Sequence, residues 1–234
     1  MVSVSLFIGG IRPLPVSGRP TGMYKQPLTH SVELGPEGFV GDQQADRRVH
    51  GGPDKAVHLY PARHYLRLAE RFPDAAEQLL IGSLGENIST AELDENDVRV
   101  GDIWQLGDAL MQVCQPRNPC WKIDERFACE DMAAYIAEQR LTGWYWRVIR
   151  PGRVSPGDRL TLHSPAHHGL SLAEAMLCWQ AHRPAVGDLE QLADMLGIAD
   201  NWRQKILTRL DWLRKNPDQS PAPIEPFHVK PERT

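Results

Sequence analysis

Ile103-Trp104-Gln105-Leu106-Gly107-Asp108-Ala109-Leu110-Met111-Gln112-Val113-Cys114 reads as two strands joined at Gly107-Asp108. Glycine and aspartate at a two-residue turn supply the backbone freedom that a tight hairpin needs. The turn leading into it, Val98-x-x-Gly101-Asp102-x-x-x-Leu106, recurs as Val154-x-x-Gly157-Asp158-x-x-x-Leu162, so two similar turns each feed a strand. Further upstream, residues 2–8 form an apolar, β-branched strand stopped by Gly9-Gly10. A Pro/Gly-rich loop runs to Tyr24, and the strict alternation over 28–34 marks a half-buried strand. Gly35-Pro36-Glu37-Gly38 then turns the chain. Gly51-Gly52-Pro53-Asp54 turns it again, into a strand over 55–60. Pro61 stands where a helix can start, with Tyr65, Leu68, Ala69 and Phe72 on its apolar face. Gly85-Glu86-Asn87-Ile88-Ser89 is a second loop-strand unit. Downstream, a strand over 144–150, turned by Pro151-Gly152, brings the structure to closure near Leu162. Short strands, frequent glycine turns and few helices predict a mainly β, barrel-like core rather than a Rossmann sheet.

Composition shifts after His163. Ser171 followed by Glu174 is the signature of a capped helix start. Amphipathic segments over 188–196, ended by Gly197, and over 202–213, with Ile206, Leu210 and Leu213 on one face, complete a small all-α unit. The expected division is a β-barrel domain over 1–165, a three-helix domain over 166–215 and a Pro-rich tail over 216–234 that has too little apolar character for a core.

At 234 residues, 41% hydrophobic and with a formal charge of −4, the chain is an ordinary globular one. That balance gives no general reason to expect a nucleic acid or an anionic membrane as partner. The first residues show no basic leader or secretory apolar run, and no later stretch is long enough to span a bilayer, so a cytoplasmic location is expected. Cys114, Cys120, Cys129 and Cys178 are irregularly spaced, without the pattern of a disulfide framework or a CxxC pair, and read as reduced thiols.

The hairpin runs into Gln115-Pro116-Arg117-Asn118-Pro119-Cys120-Trp121-Lys122. Two prolines fix the backbone on either side of Arg117, so cation and sulfur are held in a defined relation at little entropic cost. Fixed positive charge lowers a thiol pKa from about 8.5 and favours the reactive thiolate. Cys120 is therefore the candidate reactive or metal-binding atom, although a lone Cys is more often a small hydrophobe in a core. The second informative stretch is Gly41-Asp42-Gln43-Gln44-Ala45-Asp46-Arg47-Arg48-Val49-His50-Gly51-Gly52-Pro53-Asp54-Lys55-Ala56-Val57-His58. Gly51 and Gly52 let backbone amides approach a ligand, and His50 and Lys55 add donors and charge. That set suits a phosphate, without the spacing of a Walker loop.

Three stretches together, GDQQADRRVHGGPDKAV at 41–57, GENIST at 85–90 and QPRNPC at 115–120, resemble the MOSC family, named for the C-terminal domain of molybdenum-cofactor sulfurases, and within it the bacterial YiiM branch. The resemblance runs from about the N-terminus to Leu162, and the three helices look like the domain that YiiM proteins carry after it. It implies a β-barrel that binds a molybdopterin-type molybdenum cofactor (Moco), with Cys120 as catalytic residue and metal ligand. His50, Gly51, Gly52, Lys55, Asn87 and Arg117 are then the implied cofactor contacts, Asn87 as an orienting hydrogen-bonder and Glu86 as a partner orienting Arg117 or Lys55. The implied activity is an oxidoreductase that reduces N-hydroxylated bases such as hydroxylaminopurine to the amine, a detoxification. No NAD or flavin fingerprint is visible, so electrons are expected from a separate reductase, a flavoprotein.

Other residues stay open on sequence grounds. His58 either faces the pocket or is a hydrogen-bonded structural histidine. Cys114 reads as strand packing, while Cys129 and Cys178 fall in expected helical regions as core. Trp202 and Trp212 pack the helices or form a docking surface. Two further functions use the same residues: a cysteine-based sulfur transferase or carrier without metal, and a cofactor carrier without turnover.

Overall fold

The computed structural model describes residues 1–47, 51–167 and 169–217. His50 and all but the first two residues of the expected tail fall outside that range.

The main sheet is built on strands β1 Val2–Ser3, β2 Ser5–Ile8, β5 Gln26–Pro27, β8 Val57–Pro61, β9 Ile88–Thr90, β10 Ile103–Leu106, β11 Ala109–Pro116, β12 Trp144–Arg150 and β14 Arg159–Ser164, in the order β1-β14-β10-β11-β12-β8-β9-β2-β5. Every pairing in it is antiparallel except β8 with β9. Because β1 and β2 are two halves of one N-terminal segment, that order is a ring. Val2 pairs with Leu160 on β14, while Leu6 pairs with Ile88 on β9, and the segment stitches the two sheet ends together. Closure removes the exposed edges that a large open sheet leaves. The barrel expected from the sequence is therefore present, and its hairpin is in register, with Leu106 opposite Ala109 across Gly107-Asp108.

Inside, alternation works as the pleat requires. Trp144, Trp146 and Val148 on β12 point into the core with Leu106, Met111 and Val113. The register of β11 on β12 shifts between Val113 and Gln115, so Cys114 is an extra, bulged residue. Its backbone carbonyl would be orphaned by the bulge, and the Ala199 N–H satisfies it at 2.9 Å. The bulge bends β11 just before it delivers the Pro-Arg-Asn-Pro loop.

Two small sheets sit outside the ring: β3 Arg12–Pro13 with β4 Pro20–Thr21, and β13 Gly152–Val154 with β6 Val32–Gly35 and β7 Gly38–Phe39. The single strand expected over 28–34 is thus divided. The Leu28 N–H bonds Leu6 in the barrel at 2.8 Å, whereas Val32 to Leu34 pair with β13 in another sheet, and the chain must turn between them. Pro61 ends β8 instead of opening the helix, which starts three residues later.

Six α-helices are described: α1 His64–Arg71, α2 Lys122–Phe127, α3 Met132–Glu138, α4 Leu172–Gln180, α5 Val186–Ala193 and α6 Asp200–Lys215. The first three cover a second apolar cluster around Tyr60, Tyr65, Leu68, Ile123, Phe127 and Ile136. Cys129, expected in a helix, lies in the link between α2 and α3, where Ala128 and Asp131 take positive φ and break the helix. The capping box at Ser171 and Glu174 forms as the sequence indicates. Trp202, Ile206, Leu210 and Leu213 of α6 are buried. Helices α4 to α6 share one apolar cluster with the barrel interior, and backbone bonds from Leu172 to Val98 and from Ala173 to Glu95 tie them to it. No helix among the described residues is long and apolar enough to cross a membrane.

Candidate functional site

A cleft of about 610 Å³, its mouth included, opens where the segment around Met23, the loop at 42–46, the start of β9 and the thiol-bearing loop meet. Lys55, Asn87, Arg117 and Cys120, far apart in sequence, all line it. The loop is pinned at its base, where the Arg117 N–H donates to the Gly143 carbonyl at 3.1 Å. It is pinned again at its end, where the Cys120 carbonyl accepts from the Ile123 N–H at the first turn of α2. Lys122 Nζ reaches across to the Pro20 carbonyl at 2.8 Å, so this cation also anchors the cleft wall. Opposite, Gly85 holds φ at +83°, and a side chain there would strike the Met23 backbone, so the GENIST glycine sets the width of the cleft.

Asn87 is oriented completely by the protein. Its Oδ1 accepts from the His58 N–H, and its Nδ2 donates to the Phe7 carbonyl and to Asp42 Oδ2. Asp42 in turn accepts from the Gly9 N–H at 2.8 Å and from Lys25 Nζ at 2.5 and 2.6 Å. Lys25 and Asp42, together with Tyr145 on β12, are cleft residues that sequence reasoning did not select. Asp42 lay within the quoted 41–57 stretch, and Tyr145 follows from alternation, since Trp144 and Trp146 face inward. Lys25, in a Pro/Gly-rich loop, carried no signal.

Burial lowers the pKa of Lys25 despite the pull of Asp42 and Glu86, and Arg117 adds to the lowering. His58 lines the cleft and is buried. Desolvation, then the charges of Arg117 and Lys25, push its pKa well below the usual value and keep the imidazole neutral. Its Nε2 has no hydrogen-bond partner among the described residues. Burial raises the pKa of Tyr145, which accepts a hydrogen bond from Arg117. Lys55 is lowered, first by burial and then by Lys205. Glu86 does not bond Arg117 or Lys55. Its Oε1 takes the Tyr65 hydroxyl at 2.7 Å and the Gly82 N–H at 2.6 Å, and burial raises its pKa while Arg117 lowers it.

Gly51 and Gly52 are not among the lining residues. The Cβ position of Gly51 is filled by the Gln44 side chain and the Arg47 backbone, and Gly52, at φ 89°, caps the 3-10 turn Pro53–Lys55 that carries Lys55 to the cleft. Cys114 is fully buried, donates to the carbonyls of Asp54 and Tyr145, and has its pKa raised by burial.

A barrel closed by its own N-terminal segment, with a proline-fixed thiol loop facing a cation-lined cleft, defines the class of protein. Residues 46–161 match the MOSC domain family. The chain is 36% identical over 207 residues to protein YiiM of Escherichia coli strain K12, covering 88% of this chain and 91% of that one. It superposes on the crystal structure of YiiM from Escherichia coli with a TM-score of 0.76 at 31% identity, over 91% of this chain and 94% of that one. A protein of Gibberella moniliformis strain M3125 named reductase is 33% identical over 143 residues, 61% of this chain and 25% of that protein. The chain belongs to the MOSC domain family and is a YiiM-like member of it.

Proposed function

We propose that the cleft binds a molybdenum cofactor, with the Cys120 thiolate on the metal, and that the protein reduces N-hydroxylated compounds such as hydroxylaminopurine to the amine. The observation that carries this reading is the convergence of one accessible thiol with Lys55, Arg117 and Lys25 on a single cleft. The donor set fits the group. A thiolate is a soft ligand for a transition metal, and the cations suit an anionic phosphate. Among the described residues no three His, Cys, Asp or Glu side chains are grouped to hold a bare metal ion, so a metal at Cys120 needs its remaining ligands from an organic carrier. Gly51 and Gly52 do not line this cleft and are left out of the anion site in this reading.

When bound, the cofactor supplies the two-electron chemistry. The chain's own residues position the substrate and handle protons. Converting R–NH–OH to R–NH2 and water consumes two electrons and two protons as the N–O bond breaks. Tyr145 keeps its phenolic proton because burial raises its pKa, and Arg117 orients the hydroxyl. His58, held neutral by burial, borders the cleft beside these groups. The name of the fungal relative supports reductase chemistry, and the matched segment is a quarter of that protein. Electrons for this chain then come from a separate flavoprotein. The test is anaerobic reduction of hydroxylaminopurine by protein purified from cells able and unable to make the cofactor, with a flavin reductase and NADH supplied. Turnover that requires the cofactor supports the reading. A persulfide on Cys120 with activity indifferent to molybdenum replaces it by sulfur transfer.

A further inference from the structure

Glu95 is 3% exposed and is not a lining residue of the thiol cleft, yet it holds the residue that anchors the loop. Its Oε1 accepts from the Gly143 N–H at 2.7 Å, and its Oε2 meets His64 Nε2 at 2.7 Å where α1 begins. Gly143 stands just before β12 with φ at +63°, where a side chain would strike the Leu59 carbonyl. Its own carbonyl accepts from the Arg117 N–H at 3.1 Å and from the Thr142 hydroxyl at 2.9 Å. Pro116 and Pro119 have no N–H, so the Arg117 amide is the rung on which the loop leaves β11. Glycine has the least restrained backbone, so the aim of the Gly143 carbonyl depends on what fixes the Gly143 N–H. Glu95 fixes it from one side, and His64 fixes Glu95 from the other. The Glu95 carbonyl also takes the Ala173 N–H at 2.8 Å, which ties α4 to the same joint.

We propose that Glu95 is the positioning residue of the thiol loop: by holding Gly143 it seats the Arg117 backbone, and so sets where the Arg117 guanidinium stands in the cleft it shares with Tyr145, His58 and Cys120. Arg117 is 8% exposed and hydrogen-bonds Tyr145, so a small shift at its backbone moves a buried charge. The proposal rests on Arg117 and Cys120 forming the site, and not on what the site binds. Glu95 touches no ligand in it and acts only through Gly143.

The test is NMR on the full, cofactor-free chain, following the Arg117 amide by hydrogen exchange and the His58 imidazole by pH titration. In Glu95→Ala the Arg117 amide should exchange at least about tenfold faster relative to the amides of the 103–114 hairpin. The charge of Arg117 helps to keep His58 neutral, so His58 should titrate at higher pH in Glu95→Ala and in Arg117→Gln. The double variant should match Arg117→Gln alone, because both changes act through one guanidinium. Glu95→Gln offers the same oxygen to Gly143 and an N–H to His64, and should behave as wild type in both measurements. Glu95→Asp, too short to span Gly143 and His64, should move both in the direction of Glu95→Ala, and is read in its place if the alanine variant does not fold. A folded Glu95→Ala or Glu95→Asp in which either readout matches wild type overturns the proposal. So does faster exchange shared equally by the hairpin, which is general loss of stability, and so does a Glu95→Gln as perturbed as Glu95→Ala, which makes the effect one of charge. Neither measurement depends on molybdenum or on turnover, so the proposed reductase activity can fail while this role stands.

Discussion

Lys25 and Asp42 form a buried ion pair beside the thiol cleft, Nζ to Oδ1 2.5 Å, with both side chains 5% exposed. Asp42 also fixes Asn87 and the Gly9 amide, so one carboxylate aligns the N-terminal strand, the GENIST loop and a cleft cation. Removing one partner of such a pair leaves a charge buried without compensation. Asp42→Asn is expected to lower stability by about 3 kcal/mol, measured as a shift of the urea midpoint at constant slope. A change below about 1 kcal/mol, the range of exposed pairs, would show that the pair is solvated.

His58 sets an acid limit. Its folded pKa lies well below the 6.5 of the free side chain. Above pH 6.5 both folded and unfolded chains are neutral at this residue, and no pH dependence arises from it. As pH falls below 6.5 the unfolded chain takes a proton that the folded chain refuses, so stability drops at up to about 1.4 kcal/mol per pH unit. Urea unfolding at pH 7.5 and 5.5 should show this slope in wild type and a shallower one in His58→Asn. Equal slopes would assign the acid loss to other groups.

The barrel and the three helices share one apolar cluster, so the full chain should unfold in one cooperative transition. On that expectation the boundary at residue 165 separates the proposed cofactor residues from the helices without separating two folding units. Heating followed by tryptophan fluorescence and far-UV circular dichroism should give coincident curves. Two separated transitions would show independent folding units.

Arg117 offers a planar fork, hydrogen-bonds Tyr145 and lines the cleft. Arg117→Lys keeps charge but loses the fork and should weaken cofactor retention by about tenfold, with Arg117→Glu weakening it much further. Molybdenum per chain after dialysis measures this. Equal retention in both variants would remove Arg117 from the anion site.

The local patterns carried far into three dimensions. The 103–114 hairpin, the Ser171 capping box and the α6 stripe are each set by neighbours within a few residues, and each stands where alternation or capping places it. The proline-fixed loop was legible because its prolines act locally, and the cleft does gather Cys120, Arg117, Lys55 and Asn87. Three features depended on long-range partners and were not legible. Residues 28–34 split because Leu28 and Leu34 pair in different sheets. Closure near Leu162 was expected, but not that residues 2–8 divide into two halves that reach β14 and β9 to make it. Lys25 enters the site only because Asp42, seventeen residues on, is folded against it.

The central claim is that the Cys120 thiolate binds the metal. Cys120→Ser replaces a soft sulfur with a hard, weakly ionised hydroxyl, whereas Cys114, sealed in the core, is the matched control. Molybdenum per chain, measured by mass spectrometry on both variants from cofactor-producing cells, tests it directly. The account predicts near-complete loss of molybdenum in folded Cys120→Ser and wild-type content in Cys114→Ser. A Cys120→Ser protein that keeps its molybdenum would contradict it.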